Sequence, residues 1–91
     1  MIENHHIINI APLHRFQWEE AQQCFVILYP EGMVQLNPTA GEILRRCDGQ
    51  RCVTDIVRDL QNTFPEGGNA IAADVSDFLE AAQEHGWISI K

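Results

Sequence analysis

The hydrophobic period of the chain changes once, at Asn37-Pro38, and that change limits the fold more than any other feature. Before it, RFQWEE (15–20) alternates, with Phe16 and Trp18 on one side and Arg15, Gln17 and Glu19 on the other. Alternation of that kind marks a half-buried strand. CFVILYP (24–30) is apolar on both faces and rich in aromatic and β-branched residues, as a central strand requires. Pro30 and Gly32 suit a type I turn, with Gly32 free to take a positive φ in a bulge. MVQL (33–36) then returns as a third, very short strand. The economical arrangement is a three-stranded antiparallel meander with MVQL on an edge.

After Asn37 the period becomes helical. Asn37 can cap a helix with Pro38 at its first position, or Thr39 and Glu42 can form a capping box. Ala40, Ile43, Leu44 and Cys47 follow on one face, and Asp48-Gly49 is expected to end the helix. Val53, Ile56, Val57, Leu60 and Phe64 share the face of a second helix, closed by Pro65. PEGGN (65–69) reads as a loop. A third helix is expected from about Ala70 to His85, with Ile71, Val75, Phe78, Leu79 and Ala82 on its apolar face and Gly86 at its end. Three strands then three helices is an α+β pattern with a winged helix-turn-helix-like outline. Residues 1–14 read as an N-terminal arm that docks on a domain spanning 15–91, and Trp87, Ile88 and Ile90 as an apolar tail.

The outline suggests DNA binding, and the charges oppose it. Thirteen acidic residues against six basic ones leave a net charge of −7, and no Lys or Arg occurs between Asp59 and Ile90. Asp74, Asp77, Glu80 and Glu84 fill the polar face of the third helix, where phosphate and base contacts need Arg, Lys, Asn or Gln. Nucleic acid is therefore excluded as a partner. No apolar run approaches the roughly 20 residues that cross a bilayer, and no signal peptide is evident, so a cytoplasmic location is expected.

Chemistry of the chain's own is also disfavoured. No Ser or Cys nucleophile stands with a base, no Gly-rich phosphate loop is present, and Glu19-Glu20 are paired carboxylates only by adjacency. His5 and His6 point to opposite sides of an extended arm, with His14 and His85 far away in sequence, so no metal site is expected. Cys24, Cys47 and Cys52 form no CxxC pair and read as buried thiols. No cofactor is implied.

Peptide binding fits better. An edge strand carries unpaired N–H and C=O groups, which proteins normally blunt with charge or proline, and MVQL has neither. An extended peptide could add beside it. The same edge could instead be covered by the N-terminal arm or by a second copy of the chain. An acidic, DNA-mimic-like regulator of a basic partner is a further alternative.

At LYPEGMVQLNPTAGEILRRCDGQR, Leu28 to Arg51, the sequence resembles the signature segment of the PqqD family, coenzyme PQQ synthesis protein D. FLEAAQEHGW resembles that family's C-terminal portion, so the likeness runs from about Arg15 to Trp87. The resemblance implies a noncatalytic peptide chaperone, a RiPP recognition element. It would bind the PQQ precursor peptide and present it to a radical SAM enzyme that cross-links a Glu and a Tyr of that peptide. The leader would lie as an added strand between the third strand and the third helix. On this chain those positions are Met33, Val34, Gln35, Leu36 and Asn37, facing Asp74, Val75, Phe78, Leu79 and Ala82. The acids Asp74, Asp77 and Glu84 form a rim that can repel wrong peptides or attract basic residues. Proline at Val34 is expected to weaken binding if the Val34 N–H faces outward, and a one-residue register difference reverses that expectation. One departure stands out. Cys52 occupies a position where the family favours a helix-capping Thr, which bears on how the second helix starts.

Overall fold

The computed structural model describes all residues, Met1 to Lys91. Strands β1 (Ile7–Ile10), β2 (Arg15–Glu19), β3 (Cys24–Tyr29) and β4 (Gly32–Gln35) precede helix α1 (Pro38–Leu44). Strand β5 (Asp48–Cys52), helix α2 (Val53–Thr63), a single 3-10 turn at Pro65–Gly67, helix α3 (Ala70–His85) and strand β6 (Ile88–Ile90) complete the chain.

Strands β2, β3 and β4 form the expected antiparallel meander, with β3 in the centre and β4 on an edge. Pro30 and Glu31 alone make the turn, because Tyr29 pairs directly with Gly32. Gly32 is not among the glycines with positive φ, so the expected bulge does not form. Phe16, Ile27 and Val34 share the inner face, where Ile27 is fully buried. On that face Phe25 stacks on Phe16 at 4.8 Å between ring centroids and meets Trp18 edge-on at 5.0 Å.

The helical half follows its periodicity. Asn37 Oδ1 accepts the Ala40 N–H at 2.8 Å, so Asn37 rather than Thr39 caps α1, with Pro38 at the first position. Ala40, Ile43, Leu44 and Cys47 are all buried. Gly41 permits close approach of α1 to β3, since a Cβ there would lie 2.6 Å from Phe25 Cδ2. Val53, Ile56 and Leu60 bury one face of α2, but Phe64 remains 38% exposed, against the expectation that it joins that face. Gly86, at φ 80°, ends α3, and Trp87 N–H returns to the Ala82 carbonyl at 2.9 Å, closing a left-handed cap.

A second sheet, in the order β5-β1-β6, was not expected from the sequence. The segment read as an arm supplies its central strand: Ile7 pairs with Cys52 on one side, and Ile8 with Ile90 on the other. The expected turn at Asp48-Gly49 is instead the start of β5. DGQRC has no apolar alternation, so its strand conformation comes from pairing with β1, about forty residues earlier, and not from local pattern. Ile8 and Ile88 bring this sheet into the same core as Ile27, Ile43, Ile56 and Leu79.

Candidate functional site

The arm's place in the second sheet decides what does not cover β4. Met1 to Ile10 run past the far side of α3, where the Ile2 N–H donates to Glu80 Oε2 at 3.2 Å, and into β1. Strand β4 has β3 as its only neighbour.

Antiparallel pairing fixes which groups that free edge presents. Leu36 N–H donates to the Phe25 carbonyl at 2.9 Å, and Tyr29 pairs with Gly32 across the tight turn. Hydrogen-bonded pairs alternate along such a ladder, so Gly32, Val34 and Leu36 turn their backbone groups inward to β3. Met33 and Gln35 turn theirs out to the edge. Val34 N–H therefore faces Ile27, and the premise of the Val34→Pro test is reversed. The side chains alternate too: Val34 is half-buried and Leu36 buried, whereas Met33, Gln35 and Asn37 are exposed.

Helix α3 separates the expected site residues into two sets. Val75, Leu79 and Ala82 are at most 1% exposed and pack in the core, as several of these helix residues were expected to do. Next to them Ile71, Asp74, Phe78 and His85 recur at helical spacing along a flank that reaches solvent. Ile71 and Phe78 are half-buried against the core, while Asp74 and His85 are exposed.

Two cavities border this flank, and one of them also takes in Val34 of β4. One, near the C-terminal end of α3, has a volume of about 400 Å³ and is lined by His14, Tyr29, Glu31, Val34, His85 and Trp87. Its walls are paired rings: His14 stacks on Tyr29 at 6.1 Å and His85 on Trp87 at 4.6 Å, with Phe78 6.5 Å from Trp87. The other, of about 230 Å³, lies near the N-terminal end of α3 and is bordered by Pro38 and Thr39, just past β4. Asp74 and Val75 belong to its lining. Sequence reasoning missed His14, Tyr29, Glu31, His85 and Trp87 as a site, because they come from three segments far apart in the chain that only the fold brings together.

Charge around the groove is acidic and largely uncompensated. Asp74, Asp77 and Glu84 are exposed and make no ion pair, whereas Glu42, beside the second cavity, binds Arg46 at 2.9 Å and Arg45 at 3.5 Å. Arg46 is the one buried charged residue. It reaches from the end of α1 to Asp59 and Thr63 of α2 and donates to the Glu42 carbonyl at 2.7 Å. Burial pulls its pKa down, and the hydrogen bonds to Glu42 and Asp59 outweigh that, so the guanidinium is held charged.

No helix is long and apolar enough to cross a membrane, and no group of three or more His, Cys, Asp or Glu side chains converges. His6 Nδ1 accepts the Glu3 N–H at 2.8 Å within the turn that precedes β1.

The chain is similar to known proteins throughout this framework. The family model for coenzyme PQQ synthesis protein D (PqqD) matches residues 24–88. A PqqA binding protein of Methylococcus capsulatus is 51% identical over 82 residues, covering 90% of this chain and 86% of that protein. Another, from Azotobacter vinelandii, is 53% identical over 76 residues, covering 84% of this chain and 82% of its own. The fold is shared with a solution NMR structure of the PqqD truncation of Methylobacterium extorquens PqqCD, described as a functional and stand-alone RiPP recognition element. The TM-score is 0.81 at 21% identity, over 98% of this chain and 95% of that one. The β4 edge, the three-helix half that follows it and the sequence match spanning both together assign this chain to the coenzyme PQQ synthesis protein D family.

Proposed function

We propose that the chain is a noncatalytic carrier for the PQQ precursor peptide, which it binds as a strand added to β4 and presents to a radical SAM enzyme. The observation that carries this reading is the free β4 edge, with Met33 and Gln35 offering backbone donors and acceptors and Val34 sharing a cavity with His85 of α3. Relatives over half identical to the chain are named for binding PqqA, the precursor peptide, and this supports the same client here. Main-chain bonds supply affinity, while side chains entering the groove select the peptide. The domain contributes position and leaves the chemistry to its partner.

Titrating the precursor peptide into isotopically labelled protein tests the reading. Amide signals of residues 33–37 and of Asp74, Phe78 and His85 should shift. Shifts confined to β1 or the turn before it would overturn strand addition. Self-association through the same edge would shift residues 33–37 with protein concentration in the absence of peptide. Repeating the titration with the radical SAM enzyme present shows whether peptide and enzyme are held together.

A further inference from the structure

We infer that the cavity where α1, α2 and α3 meet is an anchor pocket for one large apolar side chain of the bound peptide, next to a Lys or Arg of that peptide. The inference rests on strand addition to β4 and specifies what the peptide must carry beyond its paired stretch.

The pocket is apolar where it is deep and acidic where it opens. Ile43, Leu60, Phe64 and Ile71 line it, and Pro38 and Thr39 stand at its mouth. Phe64, just past a helix that buries Val53, Ile56 and Leu60, keeps over a third of its surface exposed here. A fully packed three-helix core would have closed over that ring. The 3-10 turn packs against the wall: a Cβ at Gly67 would lie 2.8 Å from the end of the Ile71 side chain, which would have to shift.

Continuity with β4 identifies the occupant. Strand β4 passes through Leu36 and Asn37 directly into Pro38 and Thr39, which share the pocket with Ile71 and Asp74 of α3. From Gln35, the last residue with outward backbone groups, to the mouth is three to four residues, or about 10–13 Å of extended chain. The anchor residue should therefore lie about three residues beyond the one that pairs with Gln35.

Charge identifies its neighbour. Glu42 is already matched by Arg46 and Arg45, so the unmatched charge at the mouth is Asp74. None of the chain's ion pairs involves Asp74, and no Lys or Arg lies from residue 59 to 90, so a cation on the peptide would find this carboxylate unpaired. The cavity at the other end of the groove differs, with rings of His14, Tyr29, His85 and Trp87 around it. Two unlike ends would give the bound peptide a direction.

The test uses the full chain and the synthetic precursor peptide. In methyl-labelled protein, Leu60 and Ile71 should give intermolecular NOEs to one apolar peptide side chain. Asp74→Lys and Thr39→Trp, both at exposed positions, should each raise the peptide Kd by about tenfold. Gln35→Pro serves as the control for strand addition. If Gln35→Pro weakens binding but the two pocket variants bind as wild type, or no such NOEs appear, the pocket assignment is overturned and strand addition stands. If Gln35→Pro binds as wild type, strand addition itself fails. NOEs from Leu60 and Ile71 that appear only to added radical SAM enzyme would assign the pocket to the enzyme and overturn the inference.

Discussion

Leu36 donates its backbone N–H to the Phe25 carbonyl at 2.9 Å, and this one bond fixes which residues of the β4 edge can bind anything. Counting back along the ladder, Val34 faces β3 and Gln35 faces outward. A shift of one residue would exchange the two roles and bury the opposite set of side chains.

Proline at the two positions should therefore give opposite outcomes. Gln35→Pro removes an outward N–H from an edge strand, where proline is tolerated, and should leave the melting temperature nearly unchanged. Its precursor-peptide Kd should rise about five- to tenfold for the lost main-chain bond. Val34→Pro removes a ladder bond to Ile27 and should destabilise the fold by about 2 kcal/mol or more. Calorimetry of binding and thermal unfolding of both variants separate these effects.

Arg46 ties α1 to α2, and truncating it should lower stability by about 2–3 kcal/mol in denaturant unfolding. Its side chain is 8% exposed and gathers Glu42, Asp59 and Thr63. The loss combines missing hydrogen bonds with an unfilled space between the helices.

The same network sets an acid limit. The hydrogen bond from Arg46 holds the Asp59 carboxyl below the usual carboxylate range, and the Gln50 N–H does the same for Asp48. A carboxyl depressed in the folded state stabilises the fold above its unfolded pKa, about 3.9 for Asp, and that contribution is lost as pH falls through the lower folded value. Thermal unfolding followed from pH 6 down to pH 2 should show a decline beginning near pH 4. Asp59→Asn should make that decline shallower.

Cys52 caps the start of helix α2, and its N–H reaches Asp55 Oδ2 at 3.4 Å. A thiol is a weak acceptor for the first-turn N–H groups, so half of a capping box is poorly made. Cys52→Thr should stabilise the protein by about 0.5–1 kcal/mol. The denaturant midpoint should rise with an unchanged slope.

The three thiols should react unequally. Burial, reinforced by the neighbouring Asp48 charge, pushes the Cys47 thiol up to about 12, and its sulfur donates to the Ile43 carbonyl at 3.4 Å. Cys24 and Cys52 are only half-buried, short of the full burial expected of them. Alkylation at pH 8 should modify those two in the folded protein and all three once it is unfolded, as mass spectrometry would read directly.

Much of this molecule was set by local chemistry that the sequence carries openly. Alternation in RFQWE and the apolar run CFVILY determined the meander, and Asn37-Pro38 determined where helices begin, because these signals act within a few residues. The PqqD-like segment Leu28–Arg51 pointed to a peptide and to β4 as its place. The second sheet was illegible, since β5 and β6 are strands only by pairing with Ile7–Ile10. That pairing also takes the arm away from β4 and leaves the edge free. Periodicity put Val75, Phe78, Leu79 and Ala82 on one apolar face without saying how much of that face the core would take. Tertiary packing decided it: Val75, Leu79 and Ala82 went to the core, and the flank through Asp74, Phe78 and His85 kept contact with solvent. The parity of the β4 ladder was decided in the same way, because it depends on register with β3 and on no property of MVQL itself.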